Sequence, residues 1–184
     1  MRMKLITQPL SEPVSVSELK TQLRIEHSED DAYLFGLIVA ARQYAEKATG
    51  NVFITQTWDI PFTDFSSLEI PIRPIKSIES ITYVDTDGNN QTLSDSVYFL
   101  DDYGFRAHIN LGYGEQWPSI RDQKNAVIVR VVAGANQAPQ SIKHAVILMA
   151  AHWYENREET SMDKLKPIPL GAERLLTLDE NRYF

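Results

Sequence analysis

The sequence predicts an α+β fold in which helices from both ends of the chain form one core and an antiparallel β segment is inserted between them. Three observations lead there. Apolar residues recur at helical spacing over 31–50 and again over 139–158. Between them, residues 51–133 are rich in β-branched and alternating residues punctuated by turn signals. Neither long helix can bury a single apolar stripe alone, so the economical arrangement packs one against the other. The chain has 184 residues, 43% hydrophobic and 23% charged, enough for a single domain over 1–184 with a substantial core. The expected helical core is 15–50 and 139–178, and the β insertion is 51–133.

The first helix opens at Ser15-Val16-Ser17-Glu18. This is a capping box: the Ser15 hydroxyl accepts an amide proton while Glu18 reaches back to the Ser15 backbone. His27-Ser28 interrupts the pattern after Ile25, and a second helix is expected with Ser28 as its cap. Glu29, Asp30 and Asp31 then fall in the first turn, where carboxylates favour the positive end of the helix dipole. Leu34, Leu37, Ile38, Ala41, Ala45 and Ala48 form its expected stripe, and Gly50 stops it.

In the β segment, Val52, Ile54, Trp58, Ile60 and Phe62 alternate with Thr55, Thr57 and Asp59, which predicts a strand over 52–62. A second strand is expected at Ile78–Val84, closed by the turn sequence Asp85-Thr86-Asp87-Gly88-Asn89-Asn90. Strands at about 97–101, 105–110 and 126–133 complete the set. Pro61, Pro71 and Pro74 belong at edges or bends, because proline donates nothing to a ladder. Helix resumes after Pro139 with Ile142, Ala145, Val146, Met149, Ala150 and Trp153 as its stripe. Residues 159–169 read as a loop, and Leu170–Leu178 as a final short helix.

Composition narrows the function. There is no cysteine, which excludes disulfides and thiolate metal sites. No apolar run has the length of a signal-peptide core or a membrane span, so a cytoplasmic chain with no membrane partner is expected. The net charge is −7, from 18 basic and 25 acidic residues, with no lysine/arginine cluster. Tight binding to a phosphate backbone needs such a cluster, since counterion release supplies most of the affinity. DNA contact is therefore expected to be weak and non-specific.

No motif requires an active site or a cofactor. His144, His152 and Glu155 share one helix, and a metal-dependent hydrolase built on them is the rival enzymatic reading, but H-E-x-x-H is absent. Asp85-x-Asp87-Gly88-Asn89 resembles the start of a calcium loop, with the glycine two positions early and no terminal glutamate. A hairpin turn explains it better. Gly112-Tyr113-Gly114 lacks the third glycine of a dinucleotide fingerprint, and G-x-S-x-G does not occur. A non-enzymatic protein is expected.

Together these residues resemble a known family. Pro13–Lys20, Leu23-Arg24-Ile25, Asp30-Asp31 and the helix running to Gly50 are similar to the opening of the head–tail connector proteins of tailed bacteriophages, the head-completion or DNA-packaging group. Leu68–Pro71, Val132-Ala133-Gly134, Pro139, Ile142-Lys143, the helix end at Trp153–Glu158 and Leu175-Leu176 continue the likeness. Ala135, where an aromatic residue is usual, departs from it. The resemblance implies a structural subunit of the virion, present in the host cytoplasm during assembly. Copies would form a ring below the portal protein, extend the channel through which genomic DNA passes, and offer a docking surface to tail or stopper proteins. A tail-side joining or terminator protein is the alternative. On this reading Tyr154, Arg157, Glu158, Leu175 and Leu176 are the expected contacts with a neighbouring subunit or the portal.

Overall fold

The computed structural model describes residues 3–104, 106–156 and 170–179. Within them the backbone divides into two compact units. The helical unit takes Leu10–Ile54 and the chain from Asn136 onward, and the β unit takes Met1–Pro9 and Thr55–Ala135. The composition is that of an α+β fold with helices from both ends and antiparallel sheets between.

In the helical unit, α1 spans Val16–Leu23 and α2 spans Asp31–Thr49. The capping box forms: the Ser15 hydroxyl accepts from the Glu18 N–H, and the Glu18 carboxylate accepts from the Ser15 N–H at 2.7 Å. Helix α2 ends at Gly50, whose φ of 70° is one that glycine adopts without a Cβ penalty. Its start corrects the expectation of a Ser28 cap. Asp30 is the cap residue and makes no side-chain capping bond, because its carboxylate accepts from the Tyr154 hydroxyl instead.

Helix α3 spans Gln140–Glu155 and α4 spans Leu170–Asp179. Leu34, Ile38, Ala41 and Ala45 of α2 meet Ile142, Ala145, Val146, Met149 and Ala150 of α3 in one buried cluster. Ala172 and Leu176 of α4 complete it. The α2 stripe is rotated from the expected one. Leu37 is half-buried and Ala48 exposed, while Arg42 is buried in their stead.

The β unit holds two antiparallel sheets. Strands β1 (Lys4–Thr7), β2 (Gln56–Phe62), β4 (Ile75–Val84), β5 (Asn90–Thr92) and β8 (Val127–Ala133) form one in the order β1-β2-β8-β4-β5. The second runs β3 (Leu68–Ile70), β7 (Ala107–Leu111), β6 (Tyr98–Asp101). Along the central strand β8 alternate residues Val127, Val129, Val131 and Ala133 are fully buried, the period expected of a strand with one core face.

The strand expected over 52–62 begins only at Gln56. Val52, Phe53 and Ile54 are all buried, and Phe53 and Ile54 pack into the helical cluster, so these residues do not form one face of a strand. Pro61 pairs with Ile128 of β8 on one side, while the described pairing of β1 to β2 covers only Thr57–Asp59. Locally it therefore sits on an edge. The Asp85 turn closes the β4–β5 hairpin: its carboxylate accepts from the Asp87 and Asn89 amides, and Gly88 takes φ 93°. Side-chain bonding from Gln91 and main-chain bonding from Asn89 hold the Asp85 carboxyl below the usual carboxylate range.

Candidate functional site

The helical unit carries the features most suggestive of a working surface, and α2 positions them. Each residue of an α-helix turns about 100° from the last. With Leu34, Ile38, Ala41 and Ala45 facing the core, Tyr33, Leu37 and Tyr44 fall on one flank and Phe35 on the other. Tyr33 is 43% and Tyr44 39% exposed, and Phe35 is 52% exposed.

The two tyrosines are braced by the end of α3. Trp153 meets Tyr44 edge to face, with ring centroids 6.4 Å apart and planes at 84°. Tyr154 tilts against Tyr33 at 6.1 Å, and its hydroxyl donates to Asp30. Such edge contacts add about 0.5–1.5 kcal/mol beyond burial and restrict the rings.

Helix α2 also carries a buried charge cluster, on the side away from the two tyrosines. Arg42 donates through Nε to Glu12 Oε2 at 2.6 Å and through a terminal nitrogen to Glu46 Oε2 at 2.6 Å. Glu46 Oε1 accepts the Phe53 N–H. Burial opposes the Arg42 charge, but the Glu12 hydrogen bond and the charges of Glu46 and Glu12 outweigh it and hold the guanidinium above its ordinary range.

On the side of α1, Val16, Lys20, Arg24, Ile25 and Asp31 line an open groove. Lys20 Nζ is 2.8 Å from Asp31, and Arg24, in the left-handed conformation that ends α1, is exposed. In the β unit Arg130 makes a two-pronged contact with Asp59 at 2.7 and 2.9 Å, and Arg106 pairs with Glu69. Lys20, Arg130 and Arg106 are each engaged by a carboxylate, an arrangement that does not attract a phosphate backbone.

Tyr154 and Leu175 are half-buried in the helical cluster, each with some surface outward. The expectation for Leu176 needs correction: it is 4% exposed and packs in the core of its own helical unit, so no neighbour reaches it in this arrangement. Arg157 and Glu158, like the loop expected over 159–169, lie outside the described residues. Among the described residues no group of three or more His, Asp or Glu side chains is placed to hold a metal ion, so His144, His152 and Glu155 form no such group. No described helix is long and apolar enough to cross a membrane.

The residue pattern did not single out Arg42, Phe35 or the Tyr33–Tyr44 pair. Arg42 had a readable signal: it lies one turn after Ile38 at the edge of the apolar stripe, with Glu46 at i+4.

A family model described as "Phage gp6-like head-tail connector protein" matches residues 13–111, more than half of the chain. Compared by sequence with curated proteins, the chain has no significant match. Among solved structures it is similar to a chain of the neck of an empty gene transfer agent particle computed with C6 symmetry, with TM-score 0.80 and 21% identity. A chain of the native gene transfer agent virion gives 0.79 and 22%, and one of the native neck computed with C12 symmetry 0.77 and 20%. Each likeness covers 100% of this chain and 97% of the other. At these identities the likeness is one of fold.

Proposed function

Because this chain belongs to the phage gp6-like head–tail connector family, we propose that its copies form a ring below the portal of a filled capsid, extend the DNA channel, and present a docking surface to tail or stopper proteins. The observation that carries the reading is the end-to-end likeness of fold to chains of particle necks computed with six-fold and twelve-fold symmetry. A closed ring requires a head-to-tail contact in which one patch meets a different patch on the next copy. The protein acts structurally, without catalysis or cofactor, at the head–tail junction of the virion, and passes through the host cytoplasm before incorporation.

Double-stranded DNA passes through such a ring with weak, non-specific contact. The net charge of −7 and the carboxylate-paired arginines support that role. Tyr154 and Leu175 belong to the proposed contact surface, with Leu176 supporting it from within.

The test is removal of the chain from an assembling particle. The expected result is DNA-filled heads that fail to join tails, with the wild-type protein located between portal and tail in complemented particles. Tails that lack it while heads are complete without it would assign it to the tail side instead.

A further inference from the structure

We propose that the Asp87–Gly88 bond, at the tip of the β4–β5 hairpin, is a site of spontaneous aspartate isomerisation whose rate Asp85 restrains. Asp87 is the one aspartate or asparagine in the chain that is followed by glycine. A side chain on the following residue hinders attack by its amide nitrogen, and glycine has none. The fold keeps glycine at 88: its φ is 93°, where other residues are strained, and a Cβ would come within 2.7 Å of the Arg121 guanidinium. Asp87 and Gly88 are both exposed, so water reaches the bond. Among the described residues the Asp87 carboxylate has no hydrogen-bond or ion-pair partner to hold it away from the backbone.

The step balances without an outside reagent other than water. The Gly88 nitrogen attacks Cγ of the protonated Asp87 carboxyl group, and the amide proton leaves with the Cγ hydroxyl as water, closing a cyclic imide. Water then cleaves either the new N–Cγ bond, which restores aspartate, or the original bond to the Asp87 main-chain carbonyl carbon. The second cleavage routes the backbone through the side chain as isoaspartate, at unchanged mass. The turn opposes the first step. The Gly88 N–H already donates to the Asp85 carbonyl at 3.0 Å, and the Asp85 carboxylate accepts from the Asp87 and Asn89 amides at 3.0 and 2.8 Å. These bonds must open before the nitrogen can reach Cγ, and an exposed turn opens locally without global unfolding. Isoaspartate lengthens the loop by one backbone methylene. Hairpin register depends on loop length, so the short pairing of β5 with Thr82, Tyr83 and Val84 is what the change disturbs.

The test is to age the full-length protein in neutral buffer at 37 °C and follow isoaspartate with time. Isoaspartyl methyltransferase labels the product, and electron-transfer fragmentation of the digested chain locates it. Isoaspartate should accumulate at residue 87 ahead of every other aspartate, and Asp87→Glu, which would need a larger and slower-forming ring, should remove it. The same chain unfolded in guanidinium chloride gives the unrestrained rate, expected to exceed the native one by roughly two- to ten-fold, the factor for one turn hydrogen bond that must first break. Asp85→Ala should close most of that gap. Asp85→Asn, which keeps an acceptor for the two amides, should stay near wild type and controls for loss of folding. No isoaspartate at residue 87 of the native chain, over a time in which the unfolded chain converts, overturns the site. Equally fast conversion at another aspartate does the same. Asp85→Ala ageing no faster than wild type overturns the restraint.

Discussion

Arg42 and Glu12, thirty residues apart in the chain, form a two-pronged ion pair on the buried side of α2, at 2.6 and 3.3 Å. The arginine side chain is 5% exposed and its two carboxylate partners 10% and 12%. The cluster fixes the chain entering α1 and, through Glu46 and the Phe53 amide, the chain leaving α2. Breaking a buried ion pair from one side costs about 3–5 kcal/mol, because the remaining charges lose their partner without regaining water. Arg42→Leu should lower stability by about that amount in urea unfolding. Glu12→Gln, which keeps an acceptor while Glu46 still neutralises Arg42, should cost about 1–3 kcal/mol. Arg42→Leu within about 1 kcal/mol of wild type would show that the cluster contributes little.

The rotation of the α2 stripe separates two substitutions that helical periodicity treats alike. Met149 is fully buried on α3, so Met149→Asp places an unpaired charge in the core and should abolish cooperative folding at ordinary temperature. Leu37 sits on the half-exposed flank, and Leu37→Asp should cost only about 1 kcal/mol. Equal losses in thermal melts would return Leu37 to the core.

What could be read in advance followed from local physics. The Ser15–Glu18 capping box, the Gly50 stop and the α3 stripe depend on residues within a turn or two of one another. The Asp85 turn is equally local. The misses involve partners distant in sequence. Strand β1 is four residues long and gains its identity from pairing with Trp58 and Asp59. Val52 and Ile54 were spaced like one face of a strand, but Val52, Phe53 and Ile54 are all buried in an irregular stretch, so no two-residue period holds there. The Asp30 carboxylate was expected to serve a helix start, and a tyrosine 124 residues later redirects it. The surface residues were the least legible. Periodicity says which side of α2 faces inward, and several surface arrangements on the remaining sides satisfy the same pattern equally well.

Duplex DNA should bind weakly. With a net charge of −7 and no lysine/arginine cluster, the chain offers no concentrated set of cations to release counterions. The expected dissociation constant is about 10⁻⁴ M or weaker at physiological salt. Sub-micromolar binding in a fluorescence-anisotropy titration at that salt would contradict a channel that DNA traverses without sticking.

Acid should loosen α1 through Glu18. The Ser15 N–H and hydroxyl both bond its carboxylate, and the backbone bond is the chief cause of its lowered pKa. The folded pKa lies below the unfolded one, so the associated stability is present above the unfolded value, about 4.3. It is lost as pH falls through the lowered folded value. Glu18→Gln should therefore melt below wild type at neutral pH, by about 0.5–1 kcal/mol for this exposed pair. The gap should narrow below about pH 4. A gap that does not change between pH 7 and pH 3 would mean the carboxylate charge is not what matters.

Leu175 and Leu176 are adjacent on α4 but should separate cleanly by effect. Leu176 is buried against the helical cluster, whereas Leu175 is half-buried at its border. Truncating a buried leucine removes its transfer energy and leaves a cavity, about 2–5 kcal/mol in well-packed sites. Leu176→Ala should therefore show a lower unfolding midpoint in urea, with incorporation into particles reduced only as far as the folded fraction falls. Leu175→Ala should change stability by about 1 kcal/mol or less while lowering incorporation, if its outward face meets a neighbouring copy or the portal. Removing residues 157–184 combines both losses, since it takes away Ala172 and Leu176 from the core. The truncated chain should consequently unfold at lower denaturant than wild type rather than persist as an undisturbed core. Leu175→Ala particles that join tails at the wild-type level would remove Leu175 from the contact surface, and a truncated chain as stable as wild type would remove α4 from the core.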